Sequence, residues 1–513
     1  MDNPNTFIFI AIVIYMAVVL IVGFIYARRN ERVGDFYLGG RKLGPIVTAM
    51  SAEASDMSSW LLMGLPGVAY LSGIADAGWT MIGLAVGTYV NWLIVARRLR
   101  RYSQVAGNAI TLPEFFFNRF RDSRKLLTWI SAGMILIFFV PYTAAGFVSC
   151  GKLFNGVFGM NYTAAMLTGA FVIVAYTAVG GFLAASTTDL IQGIIMSVAL
   201  ISILIFGAAV VGGFDVVIES TRALPGYLSL TSTHNVAAHT ASDFDLIPII
   251  SALTWGLGYF GMPHILLRFM AISDERKLKL SRRIAVVWVG VSLSVAVCIG
   301  IVGLCLSAKG FIPFLEGAAS ETVIIHMAEL LSCKGVIFAF TAGVVFSGIL
   351  AATMSTSDSQ LLVASSSVSE NLLKECFGVT LSDKTTMIVA RATVIVIAVI
   401  AAYLAKDPDS SIFNIVSFAW AGFGAAFGPV MLFSLFWRRS SLYGALAGMI
   451  TGGGMVFIWK YLVRPLGGVW NIYELLPAFL FACVAMVAVS LLTKPSEKSV
   501  IDEFEFVKQK ADG

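Results

Sequence analysis

The chain has 513 residues, of which 58% are hydrophobic and 13% charged, with a formal net charge of +5. Soluble domains carry charge on about a quarter of their residues, so this composition excludes an ordinary soluble protein. The mean hydropathy of +0.86 predicts an all-α protein of the lipid bilayer. The sequence contains no nucleotide-binding glycine loop, which argues against ATP-driven transport.

A membrane-spanning helix needs about 20 mostly apolar residues. The sequence predicts thirteen such spans, at residues 6–27, 44–72, 74–96, 126–150, 160–182, 186–213, 244–270, 284–307, 335–366, 386–405, 411–437, 443–461 and 473–492. We therefore expect one integral membrane domain over residues 1–513. The first span is not predicted to be a signal peptide, because no positive charge precedes it and no cleavage site follows.

The distribution of Lys and Arg predicts the orientation, since cytoplasmic loops are enriched in both. These residues crowd the connections after spans one, three and seven and the C-terminal tail, and they are sparse on the opposite side. The crowded set includes Arg28, Arg29, Arg32, Arg41, Lys42, Arg97, Arg98, Arg100, Arg101, Arg276, Lys277, Lys279, Arg282, Arg283, Lys494 and Lys498. We expect the N-terminus outside and the C-terminus inside. Basic loops beside membrane spans are expected in such a protein, so the positive charge does not indicate binding to nucleic acid.

The second span contains the polar run Ser55-Asp56-Met57-Ser58-Ser59, with Glu53 just before it. A carboxylate in the hydrocarbon core costs about 2.5–3.5 kcal/mol on insertion scales, so it marks a functional place. Ser and Asp favour local bonds to the backbone over a continuous helix. The run predicts a break whose free carbonyls can bind a cation. The alternative is a continuous helix with its polar residues facing neighbouring helices.

The seventh span contains three glycines and a proline between Trp255 and Pro263. Glycine weakens a helix and proline removes a hydrogen-bond donor, so we expect this segment to unwind or kink. Trp255 and Tyr259 lie one turn apart wherever it stays helical. Close helix packing is the alternative role for such glycines.

The ninth span carries hydroxyl groups on one face, because Ala352, Ser355, Thr356 and Ser359 follow helical spacing. Oxygen ligands beside small residues suit a hard monovalent cation, and hydrogen bonding between helices is the alternative. Asp358 is a second intramembrane acid just off this face.

Spans two and seven are five apart and cross the membrane in opposite directions. Interrupted segments at matching places in two halves are typical of an inverted repeat with a mid-membrane binding site. We expect core repeats at about residues 44–213 and 244–437, with peripheral spans at 6–27, 443–461 and 473–492.

Asp189 follows Ser186 by three residues near the start of the sixth predicted span. This spacing fits a helix-capping pair as well as a carboxylate at the inner end of an ion path. The four histidines and six cysteines show no metal-binding or catalytic spacing. We therefore predict neither an enzyme nor a cofactor.

Several motifs together resemble the sodium/solute symporter family, and within it the bacterial sodium/proline symporters. They are Asp35-Phe36-Tyr37-Leu38-Gly39-Gly40-Arg41, Ala54-Ser55-Asp56-Met57-Ser58, Leu61-Leu62-Met63-Gly64-Leu65-Pro66-Gly67, the run from Trp255 to Pro263, and Ala419-Trp420-Ala421-Gly422-Phe423-Gly424. The resemblance runs from about residue 36 to 492. It implies thirteen spans around a five-plus-five inverted repeat of the leucine-transporter type.

The resemblance also implies roles for matching residues. The implied sodium ligands are carbonyls of Ala54, Met57 and Ala352 and hydroxyls of Ser355 and Thr356. Residues implied in sodium coupling or a second cation site are Asp56, Ser58, Asp189, Ser355 and Ser359, to which the acid Asp358 is added. The implied proline pocket contains Trp60, Tyr142, Trp255, Tyr259 and Pro263, and Arg41 matches an arginine linked to coupling.

The function that this resemblance implies is sodium-coupled import of L-proline across the inner (plasma) membrane, with no obligate protein partner. Glu53, Ser59 and Asp358 depart from the pattern of proline transporters, which has a small residue, glycine and serine at these places. The alternatives are therefore another small amino acid, an osmolyte or a carboxylate as substrate, or proton coupling. The alternatives from other functional classes are an ion channel and a transporter-like sensor.

Overall fold

The computed structural model describes residues 4–27, 33–236, 238–379 and 382–512. Almost all of these residues are helical, and the strands among them form a single hairpin. Arg28, Arg29 and Arg32, which contributed to the predicted orientation, lie outside the described residues.

The first half of the chain contains ten α-helices among the described residues. They are α1 (Pro4–Ala27), α2 (Val33–Leu38), α3 (Pro45–Asp56), α4 (Leu65–Ser72), α5 (Ile74–Val90), α6 (Ala96–Val105), α7 (Leu112–Phe120), α8 (Leu126–Phe158), α9 (Tyr162–Val211) and α10 (Phe214–Arg222). One-turn π-helical segments, Trp60–Gly64 and Asn91–Val95, precede α4 and join α5 to α6.

The second half opens with the hairpin of β1 (Ser232–Asn235) and β2 (Thr240–Asp243), paired antiparallel. Its helices are α11 (Leu246–Thr254), α12 (Pro263–Ala271), α13 (Leu278–Ala308), α14 (Val323–Ser332), α15 (Val336–Ser366), α16 (Asp383–Leu404), α17 (Ile412–Phe436), α18 (Leu442–Ile458), α19 (Leu475–Leu492) and α20 (Lys498–Asp512). A 3₁₀ segment, Trp255–Phe260, separates α11 from α12, and a π-helical segment, Ser367–Cys376, extends α15.

Ten helices among the described residues are long and apolar enough to cross a membrane, or eleven if α11 through α12, bent by 44°, forms one span. Two shorter apolar helices, Trp60–Ser72 and Tyr162–Ala178, fall at the second and fifth predicted spans. The helices at both places are shorter than a full span because the backbone is interrupted there, after Asp56 and at Gly181.

The interruption at Gly181 corrects one interpretation of the sequence. This glycine takes a positive φ of 72°, which residues with a Cβ rarely adopt. The helix thus restarts before Ser186, and the Ser186 hydroxyl has no hydrogen-bond partner. The helix-capping role for Ser186 and Asp189 is therefore wrong, and Asp189 is a fully buried residue within a helix.

The interrupted spans lie in the interior of the bundle. The half-helix α3 packs against α9, α12, α13 and α15, while α15 packs against α1, α8 and α9. Exposed apolar side chains, such as Phe171 of α9 and Ile337 of α15, lie on the outward-facing parts of these helices, as expected where lipid replaces water. The polar breaks are therefore lined by protein, which is the condition for irregular backbone at membrane depth.

Helix α5 approaches the 3₁₀ segment at backbone distance. A Cβ built on Gly87 would lie 2.4 Å from the carbonyl oxygen of Gly256, and one on Gly83 would lie 2.5 Å from that of Leu253. A Cβ built on Gly256 of the seventh span would in turn lie 2.3 Å from the carbonyl oxygen of Gly83. Gly256 therefore permits close packing within a segment that also interrupts the helix, so both predicted roles of these glycines are observed.

Gly87→Ala is expected to destabilise the protein, because a new methyl group would push the 3₁₀ segment away from α5 and overpacking costs about 1–3 kcal/mol. Gly290→Ala is the matched control, since a Cβ there meets nothing within 4 Å. Thermal unfolding in detergent should show a lower transition temperature for Gly87→Ala alone. Equal transition temperatures would contradict the close approach.

Candidate functional site

The break in the second span follows Asp56. The chain leaves the helix at Met57 (φ −76°, ψ 67°), and the backbone N–H of Ser58 donates to the Asp56 carbonyl at 2.8 Å. Helical structure resumes at Trp60, whose N–H contacts the Ser58 hydroxyl at 3.4 Å. The polar run therefore interrupts the helix, as the sequence predicts.

The break in the seventh span comprises the 3₁₀ segment and the two residues after it, Gly261 and Met262. Helix α12 begins at Pro263, where a proline costs no helical hydrogen bond. The positive N-terminal end of α12 therefore lies at the break, which favours a negatively charged group there.

A hydrogen bond joins the two breaks. The Tyr259 hydroxyl donates to Oδ2 of Asp56 at 2.6 Å, and both residues are buried. The other carboxylate oxygen of Asp56, Oδ1, is buried without a hydrogen-bond partner. A buried carboxylate oxygen left unsatisfied is costly, so this atom is available to a ligand or cation.

The hydroxyl face of α15 lies against the first break. Ser355 donates to the carbonyl of Ala54 at 2.7 Å and reaches the carbonyl of Ala352 at 3.1 Å. The Thr356 hydroxyl and the Ser59 hydroxyl are buried and have no partner. Carbonyl and hydroxyl oxygens thus converge between α3 and α15, the donor set that a hard monovalent cation prefers.

Aromatic side chains surround the breaks. The Trp60 and Trp255 rings lie 6.0 Å apart, and Tyr259 packs edge-on against Trp420 at 5.1 Å. The Tyr142 hydroxyl lies 3.5 Å from the Asp56 carbonyl, which also accepts from Trp60 Nε1 at 3.2 Å. The predicted pocket residues are therefore close neighbours, with Pro263 at the adjoining helix start.

A second polar cluster surrounds Arg268 of α12, which is 1% exposed. Its guanidinium donates to Oδ2 of Asp189 at 3.2 Å, to the hydroxyls of Ser359 (2.5 Å) and Ser51 (3.0 Å), and to the His264 carbonyl at 2.8 Å. Four helices, α3, α9, α12 and α15, therefore meet at one buried ion pair.

Asp358 adds a second acid to this cluster. Its Oδ1 accepts from the Ser359 hydroxyl at 3.2 Å, while its Oδ2 and the Oδ1 of Asp189 are buried without partners. The Arg268 guanidinium forms an ion pair with Asp189. Asp358 is a second buried carboxyl group, which is linked to the guanidinium only through the Ser359 hydroxyl. A buried excess of negative charge is unfavourable, so the cluster favours uptake of one further cation, either a metal ion or a proton.

Arg41 lies apart from both clusters, at the end of the protein that is rich in basic residues. It donates to the Met270 carbonyl at 2.5 Å, the Ala109 carbonyl at 2.8 Å and Oδ1 of Asn108 at 3.1 Å. Burial lowers the pKa of Arg41 to about 10, which leaves it charged at neutral pH. It therefore ties the segment before α3 to the last turn of α12.

A buried ion pair lies at the opposite end of the bundle. Lys152 of α8 contacts Glu321 at 2.7 Å. The Glu321 carboxylate also accepts from the backbone N–H groups of Ile412 and Phe413, both at 3.0 Å, at the start of α17. Glu321 therefore joins α8 to the start of α17.

Two interrupted helices and a third helix that carries hydroxyl groups thus form the centre of the molecule. Comparison with known proteins shows the family to which this arrangement belongs. Residues 36–452 match the model of the sodium:solute symporter family. The chain belongs to this family. It is consequently a multi-pass protein of the plasma membrane, and sodium is the coupling ion that the family implies.

Curated relatives of this symporter match over nearly the whole chain. A sodium/proline symporter of Haemophilus influenzae is 42% identical over 97% of this chain and 96% of its own length. The sodium/proline symporter of Escherichia coli K12 is 42% identical over 96% and 94%. A high-affinity proline transporter of Bacillus subtilis, PutP, is 42% identical over 94% and 98%.

Two solved symporters share the fold. A Na⁺-coupled sialic acid symporter in a substrate-bound outward-open state superposes with a TM-score of 0.79, at 17% identity over 97% of this chain and 99% of its own. Mhp1, a nucleobase-cation-symport-1 family transporter in a closed conformation, gives 0.53 at 14% identity over 92% and 98%. The symporter thus has a nearly all-helical fold of the leucine-transporter type.

Sequence reasoning missed two residues of the symporter's interior. Arg268 lies within the apolar stretch of the seventh predicted span, and an intramembrane arginine is a signal in itself. Trp420 donates from Nε1 to the Trp255 carbonyl at 2.7 Å, which fixes the 3₁₀ segment against α17. Trp420 belongs to the motif at residues 419–424, and nothing in the spacing of that motif indicates this contact.

Proposed function

We propose that the protein imports L-proline together with sodium by alternating access. The observation that carries this function is the similarity, over nearly the whole chain, to relatives named as sodium/proline symporters. The family is one of transporters, and we assign no catalytic role to any residue.

The proposed sodium site lies between α3 and α15, with the carbonyls of Ala54, Met57 and Ala352 and the hydroxyls of Ser355 and Thr356 as ligands. The Ser355–Ala54 contact of 2.7 Å supports this assignment, as does the buried, unpartnered hydroxyl of Thr356. A bound sodium ion would replace the first contact with ion–oxygen bonds and hold the two helices together.

The proposed proline pocket contains Trp60, Tyr142, Trp255, Tyr259 and Pro263. The apolar pyrrolidine ring would pack on the indole and phenol rings. The proline carboxylate would bind at the N-terminal end of α12, where the helix dipole favours negative charge without an arginine. The ammonium group would be drawn to the unpartnered Oδ1 of Asp56.

We assign sodium coupling to Asp56 and Ser58 at the first break, and a second cation site to Asp189, Asp358 and Ser359. The unpartnered oxygens of Asp189 and Asp358 support the second assignment. The same observation favours a second candidate function, in which a proton occupies Asp358 and contributes to the driving force.

Arg41 is the proposed coupling residue at the cytoplasmic end. It joins the segment before α3 to the end of α12 through the Met270 carbonyl. If α3 and α12 move relative to each other, this hydrogen bond must break. Loss of the Arg41 side chain would therefore allow the two half-helices to move separately.

We further propose thirteen spans, with the N-terminus outside and the C-terminus inside. Adding the interrupted second span and the shorter fifth helix to the eleven spans gives this number. The two interrupted spans, five apart, support inverted repeats at about residues 44–213 and 244–437, with the remaining spans peripheral.

Uptake of labelled proline into proteoliposomes tests the proposal. An inward sodium gradient is expected to drive proline accumulation. Collapse of the sodium gradient is expected to stop proline accumulation. Full uptake driven by a proton gradient alone would refute sodium coupling. Accumulation of another solute in place of proline would show that proline is not the substrate. A sodium flux that does not saturate with solute concentration would indicate a channel.

Trp255→Ala is expected to raise the proline concentration for half-maximal uptake by about 10-fold, because a buried aromatic contact contributes about 1.5 kcal/mol or more. The sodium requirement should change little. Trp129→Ala is the matched control, because Trp129 is 40% exposed and packs on Phe377 at the periphery. Equal effects of both substitutions on proline would contradict the pocket.

A further inference from the structure

A cavity of about 390 Å³ opens at the basic end of the molecule, away from the two clusters described above. It lies between the α5–α6 helix and the start of α13. Its basic lining residues are Arg97, Arg276, Lys279 and Arg282, and Trp92 forms part of its wall. Four cations from two separate helical segments therefore converge on one concave site.

Acidic residues offset only part of this charge. Glu275 in the lining forms an ion pair with Arg101, and Asp274 binds the exposed Arg276 at 3.0 Å. Among the described residues around the cavity, both of these acids are thus paired with other cations, and neither forms an ion pair with Lys279 or Arg282. The excess of positive charge attracts an anion, and a concave cluster of cations strengthens this attraction.

The membrane side of the cavity is apolar. Tyr89 and Leu93 are each 45% exposed, and Val287 of α13 is 65% exposed. All three lie deeper along their spans than Arg97 and Arg282. The Arg282 guanidinium lies over the Tyr89 ring, 5.5 Å from its centroid. The cavity therefore has a cationic rim above a surface suited to acyl chains.

We propose that this cavity binds the phosphate headgroup of an anionic phospholipid, with one such lipid held per chain. Basic pockets between helices on the cytoplasmic side are suited to such headgroups. A free phosphate ion offers the same headgroup chemistry, but it would leave the apolar surface at Tyr89 and Leu93 unused. The lipid is consequently the better occupant.

Occupancy of the cavity bears on the central site through Trp92. The indole Nε1 of Trp92 donates to Oε1 of Glu53 at 2.7 Å, and its ring packs edge-on against Phe269 at 4.5 Å. Glu53 precedes the break at Asp56 by three residues, and Phe269 belongs to α12. A bound lipid thus supports both half-helices from one side, and we expect it to raise the transport rate. This consequence rests on the proposed function, whereas the binding itself does not.

Native mass spectrometry of the full-length protein, released from nanodiscs of phosphatidylcholine with added phosphatidylglycerol, tests the binding. The wild type is expected to retain one phosphatidylglycerol. Lys279→Gln with Arg282→Gln should weaken its binding about 30-fold, since each basic residue near an anionic surface contributes about 1 kcal/mol. Arg283→Gln is the matched control, because Arg283 is an exposed neighbour outside the lining and should leave retention unchanged.

Equal retention by the double variant and the wild type would overturn the proposal. Displacement of the lipid by millimolar inorganic phosphate would also overturn it, because the site would then be one for soluble anions. Solute uptake, measured in vesicles with and without phosphatidylglycerol, is a separate readout. If the protein retains the lipid but takes up no proline in either kind of vesicle, the proposed function is wrong and the lipid site is unaffected.

Discussion

Asp56→Ala is expected to raise the sodium concentration for half-maximal proline uptake by about 10–100-fold. The substitution removes a buried carboxylate that lies beside the proposed sodium ligands and accepts the Tyr259 hydroxyl at 2.6 Å. The larger part of the effect is the lost charge: at an effective dielectric constant of about 20, a carboxylate and a cation roughly 6–10 Å apart attract each other by about 1.7–2.8 kcal/mol, which corresponds to this range of affinity. Sodium-dependent uptake, measured over a wide range of sodium concentrations, gives the value.

Two further variants separate charge from hydrogen bonding. Asp56→Asn keeps an acceptor for Tyr259 but removes the charge, and Tyr259→Phe keeps the charge but removes the donor. We expect Asp56→Asn to shift the sodium requirement nearly as far as Asp56→Ala, and Tyr259→Phe to shift it less. Ser55→Ala is the matched control, because the Ser55 hydroxyl bonds only within its own helix, to Ala52 at 3.0 Å. If Ser55→Ala and Asp56→Ala have the same effect, Asp56 has no specific role in sodium coupling.

Arg268→Gln is expected to be the most destabilising single substitution in the interior. It leaves the Asp189 carboxylate buried without its ion-pair partner, close to a second buried acid, Asp358. Removing one partner of a buried ion pair costs about 3–5 kcal/mol, much of it the cost of the charge left behind. The transition temperature of the purified protein in detergent, together with the yield of monodisperse protein, measures the effect.

A second substitution at Asp189 supplies the decisive control. Asp189→Asn combined with Arg268→Gln removes both charges of the pair, and the double variant should regain much of the stability that Arg268→Gln loses. The exposed Arg283→Gln should leave the transition temperature unchanged. A double variant less stable than Arg268→Gln alone would show that Asp189 does not depend on Arg268 for its charge balance.

The interruptions could be predicted because they depend on local sequence. Glycine, proline and short polar residues act on the backbone within a few positions, so the breaks after Asp56 and near Pro263 follow from composition. The shared face of Ser355, Thr356 and Ser359 follows from helical spacing. Family resemblance implies roles for these residues that spacing alone cannot indicate, and those roles stay predictions.

Contacts between distant segments could not be predicted in this way. The Arg268–Asp189 pair joins residues 79 positions apart, and the Arg41–Met270 bond joins residues 229 apart. Nothing in either local sequence specifies the other partner. The capping interpretation of Ser186 failed for the same reason, because it assumed a local partner for a carboxylate that binds across helices.

The most direct test of the central claim is the linkage between sodium and proline at one site. If sodium holds α3 and α15 together and so forms the proline pocket, saturating sodium should lower the proline Kd, and saturating proline should lower the sodium Kd by the same factor. Titration calorimetry on the purified protein measures both, with Ser355→Ala as the variant in which the factor should approach one. A proline Kd that is indifferent to sodium in the wild type would contradict the account.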